Sequence, residues 1–444
     1  MPHTCSMPLR PIDFLSTFFL SLCIPFTTYA QHDSLRISLD ELFARGAEQH
    51  LQLHADRLKE QMAEERIRDA RTARMPDISI GLKGGVLGQP VVWQSGLNDP
   101  TRPDTPDWQQ NYTVDFTQPL YQGGKIKYSI RKAGLEQDIA RLQTATDRAD
   151  IKLELLEQYL NLFSLYKQDR VLNRNIEESE RRLKDIRRMK EEGIITNNDV
   201  LRSEMQLTND RLAVTETRNN IRLVSQRLDI LLGMDERLLL IPDTALLEQT
   251  FQAGTYGEYV DRAFLSDPAM QLIRKQTELA ENDIALTRAE QLPRLSLTAS
   301  NTLARPVSRT MADLYNNNWN IGLSLSYPLS ALYRNRHRMN EARQNVLLMR
   351  NTEEQKRQDI RMKVQAALLK HHEATDRVES LKLSVKQAEE NYRIMRNRYM
   401  NQLAILTDLL DADNLRLNAE LQLTTARTQV IYTYYELQRA IGNL

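Results

Sequence analysis

The chain contains the same unit twice, and this limits its fold more than any local motif. Pro119-Leu120 recurs as Pro328-Leu329, Asp199-Val200-Leu201 as Asp408-Leu409-Leu410, and Leu232-Gly233 as Ile441-Gly442, each 209 residues later. An offset held without a gap over such a distance marks an internal repeat. Upstream, Met75-Pro76 matches Leu292-Pro293 at an offset of 217. The slip falls between the two prolines of each copy, which are 43 residues apart in copy one and 35 in copy two. Such insertions sit in loops.

Each copy reads helix, strand, strand, long helix, turn, helix. In copy two Val378, Leu381, Val385, Ala388, Tyr392, Met395 and Tyr399 alternate steps of three and four. Leu172, Ile176, Ser179, Leu183 and Ile186 hold the equivalent places in copy one. This 3.5-residue period predicts left-handed coiled-coil packing. No proline interrupts the pattern from about Gly124 to about Lys190, or from about Leu332 to Tyr399. At 1.5 Å per residue these helices run on the order of 100 Å, too long for a compact domain.

Four segments alternate with period two. They are Ile78/Ile80/Leu82, Tyr112/Val114/Phe116, Leu295/Leu297/Ala299 and Trp319/Ile321/Leu323/Leu325/Tyr327, each separated by polar or glycine residues. Alternation alone fits a soluble sandwich or a membrane barrel. Four strands on two such helical hairpins are too few for a large soluble core, and in lipid they need strands from other copies to close their edges. Trp319 and Tyr327 suit interfacial aromatics, or simply strand ends. Pro76, Pro119, Pro293 and Pro328 mark strand–helix corners, because proline cannot donate to a ladder and disfavours helix before it. Residues 86–111 and 302–318 are expected to be exposed loops.

The N-terminus has the pattern of an export signal: Arg10, an apolar run from Phe14 to Phe26, then Thr28-Tyr29-Ala30. Cleavage after Ala30 removes both cysteines, Cys5 and Cys23, which excludes disulfides and thiolate metal sites from the mature chain. Acylation at Cys23 is the alternative, against which stands the bulky Leu22. Lys plus Arg and Asp plus Glu both number 59, so no basic excess supports nucleic-acid binding. A mean hydropathy of −0.53 excludes a helical polytopic membrane protein. The seven histidines are scattered apart from His371-His372, whose side chains diverge by about 100° on a helix, and no metal or other cofactor is expected. The 14 methionines lie along helical seams as filler, and no catalytic constellation or phosphate loop is present.

Several segments together resemble the TolC-like outer-membrane efflux proteins. Gln118-Pro119-Leu120-Tyr121-Gln122-Gly123-Gly124-Lys125 is similar to the family's strand-to-helix corner, with Tyr327-Pro328-Leu329 a weaker copy. Arg398-Tyr399-Met400-Asn401-Gln402 and Thr407-Asp408-Leu409-Leu410-Asp411-Ala412 resemble its periplasmic helix turn, and Leu39-Asp40-Glu41-Leu42 and Ser266-Asp267-Pro268 its repeat starts. The resemblance covers essentially the whole mature chain. It implies a mostly α fold with a membrane β-barrel part: a homotrimer whose protomers share a 12-stranded barrel in outer-membrane lipid, above a periplasmic tunnel of long helices. The expected division is 1–30 signal peptide, 31–235 first repeat, 236–258 an equatorial segment, and 259–444 second repeat. The implied function is a passive exit duct for small molecules, fed by an inner-membrane transporter through a periplasmic adaptor. A protein-secretion duct of the same shape and an exported coiled-coil spacer without a pore are the alternatives.

Asp408 and Asp411 stand three apart at the start of the last helix and share a face. Their chemistry fits helix capping, or, in a trimer, a ring of carboxylates that narrows a pore and selects cations. The resemblance assigns both to the pore constriction, with Asp199 the matching position in copy one and Tyr399 a gate-linking tyrosine. It also assigns the turns carrying Gly193 and Ile194, and Gln402 and Leu403, to adaptor docking. Two departures put a charged gate lock in question: Ala404 stands where some members have a basic residue, and Gln402 where the turn usually has glycine.

Overall fold

The computed structural model describes residues 34–103, 105–243, 254–306 and 313–444. The expected signal segment 1–30 with Cys5 and Cys23, residues 244–253 of the inter-repeat segment and residues 307–312 of the second strand loop lie outside the described residues.

Copy one runs β1 (Ser34–Ile37), α1 (Leu39–Gln49), α2 (Leu51–Thr72), β2 (Asp77–Val86), β3 (Val92–Ser95), β4 (Asn98–Thr101), β5 (Trp108–Gln122), α3 (Lys125–Glu191) and α4 (Asn197–Leu232). Then follow β6 (Leu239–Pro242), α5 (Tyr256–Ser266), α6 (Pro268–Ala289), β7 (Arg294–Arg305), β8 (Asn316–Ser326), α7 (Ala331–Met400) and α8 (Leu406–Ala440). The duplication holds in length: α1 and α5 each have 11 residues, α2 and α6 each 22, α3 and α7 67 and 70, α4 and α8 36 and 35. The first helix of each copy is broken at the same place, His50 and Asp267, where extended backbone caps the next helix. Asp267 accepts from Ala269 N at 3.3 Å, and Pro268 occupies the first helical position, where its missing N–H costs nothing.

The barrel-type strands form one antiparallel sheet in the order β2-β5-β7-β8. Its register aligns Ile78 with Phe116, Phe116 with Ala299 and Ala299 with Ile321, and two residues on it aligns Ile80, Val114, Asn301 and Trp319. The intervening row is Ser79, Asp115, Ser300 and Asn320. One face is therefore mostly apolar and the other polar, as the alternation predicts. Among the described residues nothing covers the apolar face, with Ile80 74% and Trp319 70% exposed. Among the described residues β2 and β8 each pair on one side only.

Pro76 and Pro293 immediately precede β2 and β7, and Pro328 lies between β8 and α7. Pro119 does not mark its corner: it lies inside β5, at a register shift between Pro119 and Tyr121. A proline in a strand removes a ladder donor and is accommodated at such an irregularity. The chain instead turns at Gly123 and Gly124, with φ of 63° and 86°. A Cβ on Gly123 would sit 2.6 Å from the Ala289 carbonyl oxygen, so glycine is required there for space as well as conformation. Residues 86–111, expected to be a loop, contain the β3–β4 hairpin and the first residues of β5.

Below the sheet, α2 packs on α3, α3 on α6, and α6 on α7. Farther along, α3 pairs with α4 and α7 with α8, and α3 also packs on α8. A parallel β1–β6 pair joins the start of copy one to its end. Tyr159 clamps this pair by donating to Ile37 O at 3.0 Å and accepting from Asp243 N at 2.8 Å. Leu42, Leu155, Leu156, Leu228 and Leu240 complete that core. A second core gathers Met270, Val364, Leu437 and Ile441, and a third lies at the hairpin tips. Among the described residues no helix is long and apolar enough to cross a membrane.

Candidate functional site at the hairpin tips

The two hairpins close by the same hydrogen bonds. In copy one Gly193 N donates to Lys190 O and Ile194 N to Met189 O, both at 2.9 Å. In copy two Gln402 N donates to Tyr399 O at 3.0 Å and Leu403 N to Arg398 O at 2.8 Å. This helix stop needs a left-handed residue, which is Gly193 at φ 74° in one turn and Gln402 at φ 61° in the other. Ile194 and Leu403 project from the turns, 41% and 68% exposed.

The returning helices start differently. At α4, Thr196 and Asp199 form a capping box: Asp199 accepts from Thr196 N at 3.2 Å and from its hydroxyl at 3.0 Å. At α8 the cap position is Ile405, which offers no side-chain hydrogen bond. Asp408, the counterpart of Asp199, is exposed, as is Asp411, and neither makes a hydrogen bond or ion pair among the described residues. They belong to an exposed stripe that continues with Leu415, Asn418 and Gln422, while Leu409, Ala412 and Arg416 are buried. The capping role open to all three aspartates is thus taken up as a hydrogen-bonded box by Asp199 alone.

Tyr399 is buried with Leu183, Ile186, Val200, Leu207, Leu406 and Leu409, a cluster that joins all four long helices. Its hydroxyl has no hydrogen-bond partner among the described residues. Burial, and secondarily the negative charge of Asp199, raises its pKa above the ordinary tyrosine value. Arg202 crosses from α4 to α8 and donates to the Thr407 hydroxyl at 2.8 Å.

Just beyond this cluster is an ionic network that the sequence reading did not anticipate. Buried Arg182 of α3 lies 2.7 Å from buried Asp413 of α8 and donates to the Ser179 hydroxyl at 2.8 Å. Ser179 in turn donates to Asp210 of α4 at 2.7 Å. Arg416 reaches Asp413 at 2.8 Å and Glu178 at 2.6 Å, and its guanidinium lies 4.5 Å from the centre of the Tyr392 ring of α7. The heptad seam was legible around Ser179 and Leu183, but the arginine between them reads as a solvated position until its partners are known.

His371 is buried, with Nδ1 3.1 Å from the Thr433 hydroxyl, while its neighbour His372 is exposed. Among the described residues no group of three or more His, Cys, Asp or Glu side chains is arranged to hold a metal.

A duplicated chain that gives one amphipathic four-stranded sheet to hairpins about 100 Å long is the protomer of a channel-tunnel fold. The chain belongs to the outer membrane efflux protein family, whose pattern matches residues 44–234 and 259–443. Solved structures agree. The outer membrane protein VceC from Vibrio cholerae superposes with a TM-score of 0.76 at 18% identity, covering 91% of this chain and 96% of that one. The CusC structure, from work on its folding and transmembrane channel formation, gives 0.79 at 15% identity over 97% and 99%. The Campylobacter jejuni CmeC outer membrane channel gives 0.72 at 15% identity over 91% and 85%. No curated protein sequence matches the chain.

Proposed function

We propose that the protein is the outer-membrane exit duct of a tripartite efflux system, a homotrimer that passes small molecules out of the cell without an energy source of its own. The observation that carries this is the sheet: one apolar face without cover, a polar opposite face, and outer strands β2 and β8 open to pairing. Open edges and bare apolar faces are tolerated together only if the sheet closes in lipid with other copies, β8 of one protomer meeting β2 of the next. The polar face then lines a wet lumen, and the long helices extend the conduit into the periplasm, where an export signal would deliver the chain.

At the far end of the tunnel the free carboxylates of Asp408 and Asp411 form the constriction, six in a trimer, and favour cations. Asp199, engaged in its capping box, supports this ring from the α3–α4 hairpin, and Tyr399 links the two hairpins behind it. The projecting turns at Gly193 and Ile194 and at Gln402 and Leu403 are the docking surface for a periplasmic adaptor, which joins the duct to an inner-membrane transporter. The test is insertion of detergent-purified protein into a planar bilayer, with sedimentation to count protomers. Trimers that give discrete conductance steps are expected. A folded protein that neither trimerises nor conducts would leave the coiled-coil spacer as the better description.

A further inference from the structure

The ionic network opens onto a cleft whose lining carries four arginines and one glutamate. The cleft, of about 180 Å³, lies between α3, α7 and α8 and is lined by Arg181, Arg182, Arg396, Arg416, Glu178 and Tyr392 among others. Asp413 and Glu178 are committed to Arg182 and Arg416. Arg181 makes only an exposed contact with Glu177, at 3.7 Å. Arg396 has no hydrogen bond or ion pair among the described residues, and the buried Nε of Arg416 has no acceptor. Arg181 and Arg396 thus line, together with Arg416, a space large enough for a small ion.

We propose that this cleft binds a tetrahedral oxyanion of the phosphate class. Guanidinium groups present paired N–H donors that match the oxygens of such an ion, and partial burial strengthens each charge-assisted bond. The Tyr392 hydroxyl, already accepting from Arg182 at 3.3 Å, has its own proton to offer. Because the lining comes from α3 on one hairpin and α7 and α8 on the other, the anion ties the hairpins together beyond the contacts they already make. The site lies within one protomer, so its existence does not depend on the channel reading.

Binding of inorganic phosphate to the full-length protein is measured by calorimetry and by thermal unfolding, with chloride at equal ionic strength and pH as the control. One phosphate per protomer and a saturable rise in Tm absent in chloride are expected. Arg396→Gln removes a side chain without a partner, so the fold is kept, and phosphate affinity is expected to fall about tenfold, the equivalent of one good charge-assisted bond. Arg181→Gln is expected to weaken binding by a smaller factor. No binding heat, an equal Tm rise in chloride, or unchanged affinity in Arg396→Gln would overturn the proposal.

Discussion

The two hairpin tips share a backbone and differ in what they do with it. At the α3–α4 turn every local preference is met: glycine takes the left-handed position, and Thr196 and Asp199 close a capping box. At the α7–α8 turn glutamine takes the left-handed position, isoleucine takes the cap, and the matching aspartate is left without a partner. Both substitutions weaken the second tip. A carboxylate held in a capping box has part of its charge neutralised by backbone donors, whereas one left free projects its full field into solvent. The contrast therefore separates a tip whose aspartate is held by its cap from one whose aspartate is left free.

The largest test of this contrast concerns the position five residues beyond Asp408. Asp413 is buried between Arg182 and Arg416, and its copy-one counterpart Glu204 pairs with Arg187 on the surface, the two side chains 40% and 57% exposed. Asp413→Ala leaves two buried guanidinium groups poorly compensated and is expected to cost about 3–5 kcal/mol in denaturant unfolding. Glu204→Ala is expected to cost about 0–1 kcal/mol. Equal losses would erase the distinction.

The next effect is at the other end of α4. Both carboxylate oxygens of Asp229 are buried without a hydrogen bond among the described residues, and burial, then the charges of Asp235 and Glu236, push its pKa to about 7. Its counterpart Gln438 is neutral and accepts from Asn443 Nδ2 at 2.8 Å. A carboxyl whose folded pKa is raised binds its proton more tightly in the native state. Its contribution is therefore present below the unfolded value and is lost as pH rises through the window up to about 7. Asp229→Asn is expected to stabilise the protein on the order of 2–4 kcal/mol at pH 8 and to change little at pH 4, read as ΔTm across pH.

Smaller changes convert one tip into the other. Ile405→Thr supplies the missing half of a capping box, and about 1 kcal/mol of stabilisation is expected as Asp408 is drawn into it. The same variant is expected to show weaker cation preference than wild type, because the carboxylate is then shared with backbone donors. Gln402→Gly relieves the left-handed residue and is expected to add about 0.5–1 kcal/mol, while Gly193→Gln is expected to remove a similar amount. Both are read from denaturant midpoints at constant slope.

Much of this plan was legible in the sequence because it is periodic. The 209-residue offset, the heptads and the alternating strands each repeat often enough to fix the long helices α3 and α7 within a residue or two and to put most apolar side chains on one sheet face, whereas the break of each opening helix at His50 and Asp267 was not foreseen. Features that depend on a single distant partner were not legible. The β1–β6 pair is four residues long and joins segments far apart in the chain. The Arg182–Asp413 contact joins two different repeats, so neither periodicity nor the duplication points to it. Pro119 misled because a proline usually ends a strand, whereas here the strand absorbs it at an irregularity and the glycine pair makes the turn. For the aspartates, composition and spacing left capping and pore roles open; the difference between Thr196 and Ile405 at the two caps explains why a capping box forms at Asp199 and not at Asp408.

The most direct test is the reversal potential of single channels in a potassium chloride gradient, compared among the wild type, Asp408→Ala/Asp411→Ala and Asp199→Ala. The expected result is a cation-preferring wild type, a double variant with larger steps and little preference, and an Asp199 variant close to wild type. A double variant that keeps the wild-type reversal potential, or an Asp199→Ala variant that loses preference as fully as the double one, would contradict the assignment of the free carboxylates to the pore.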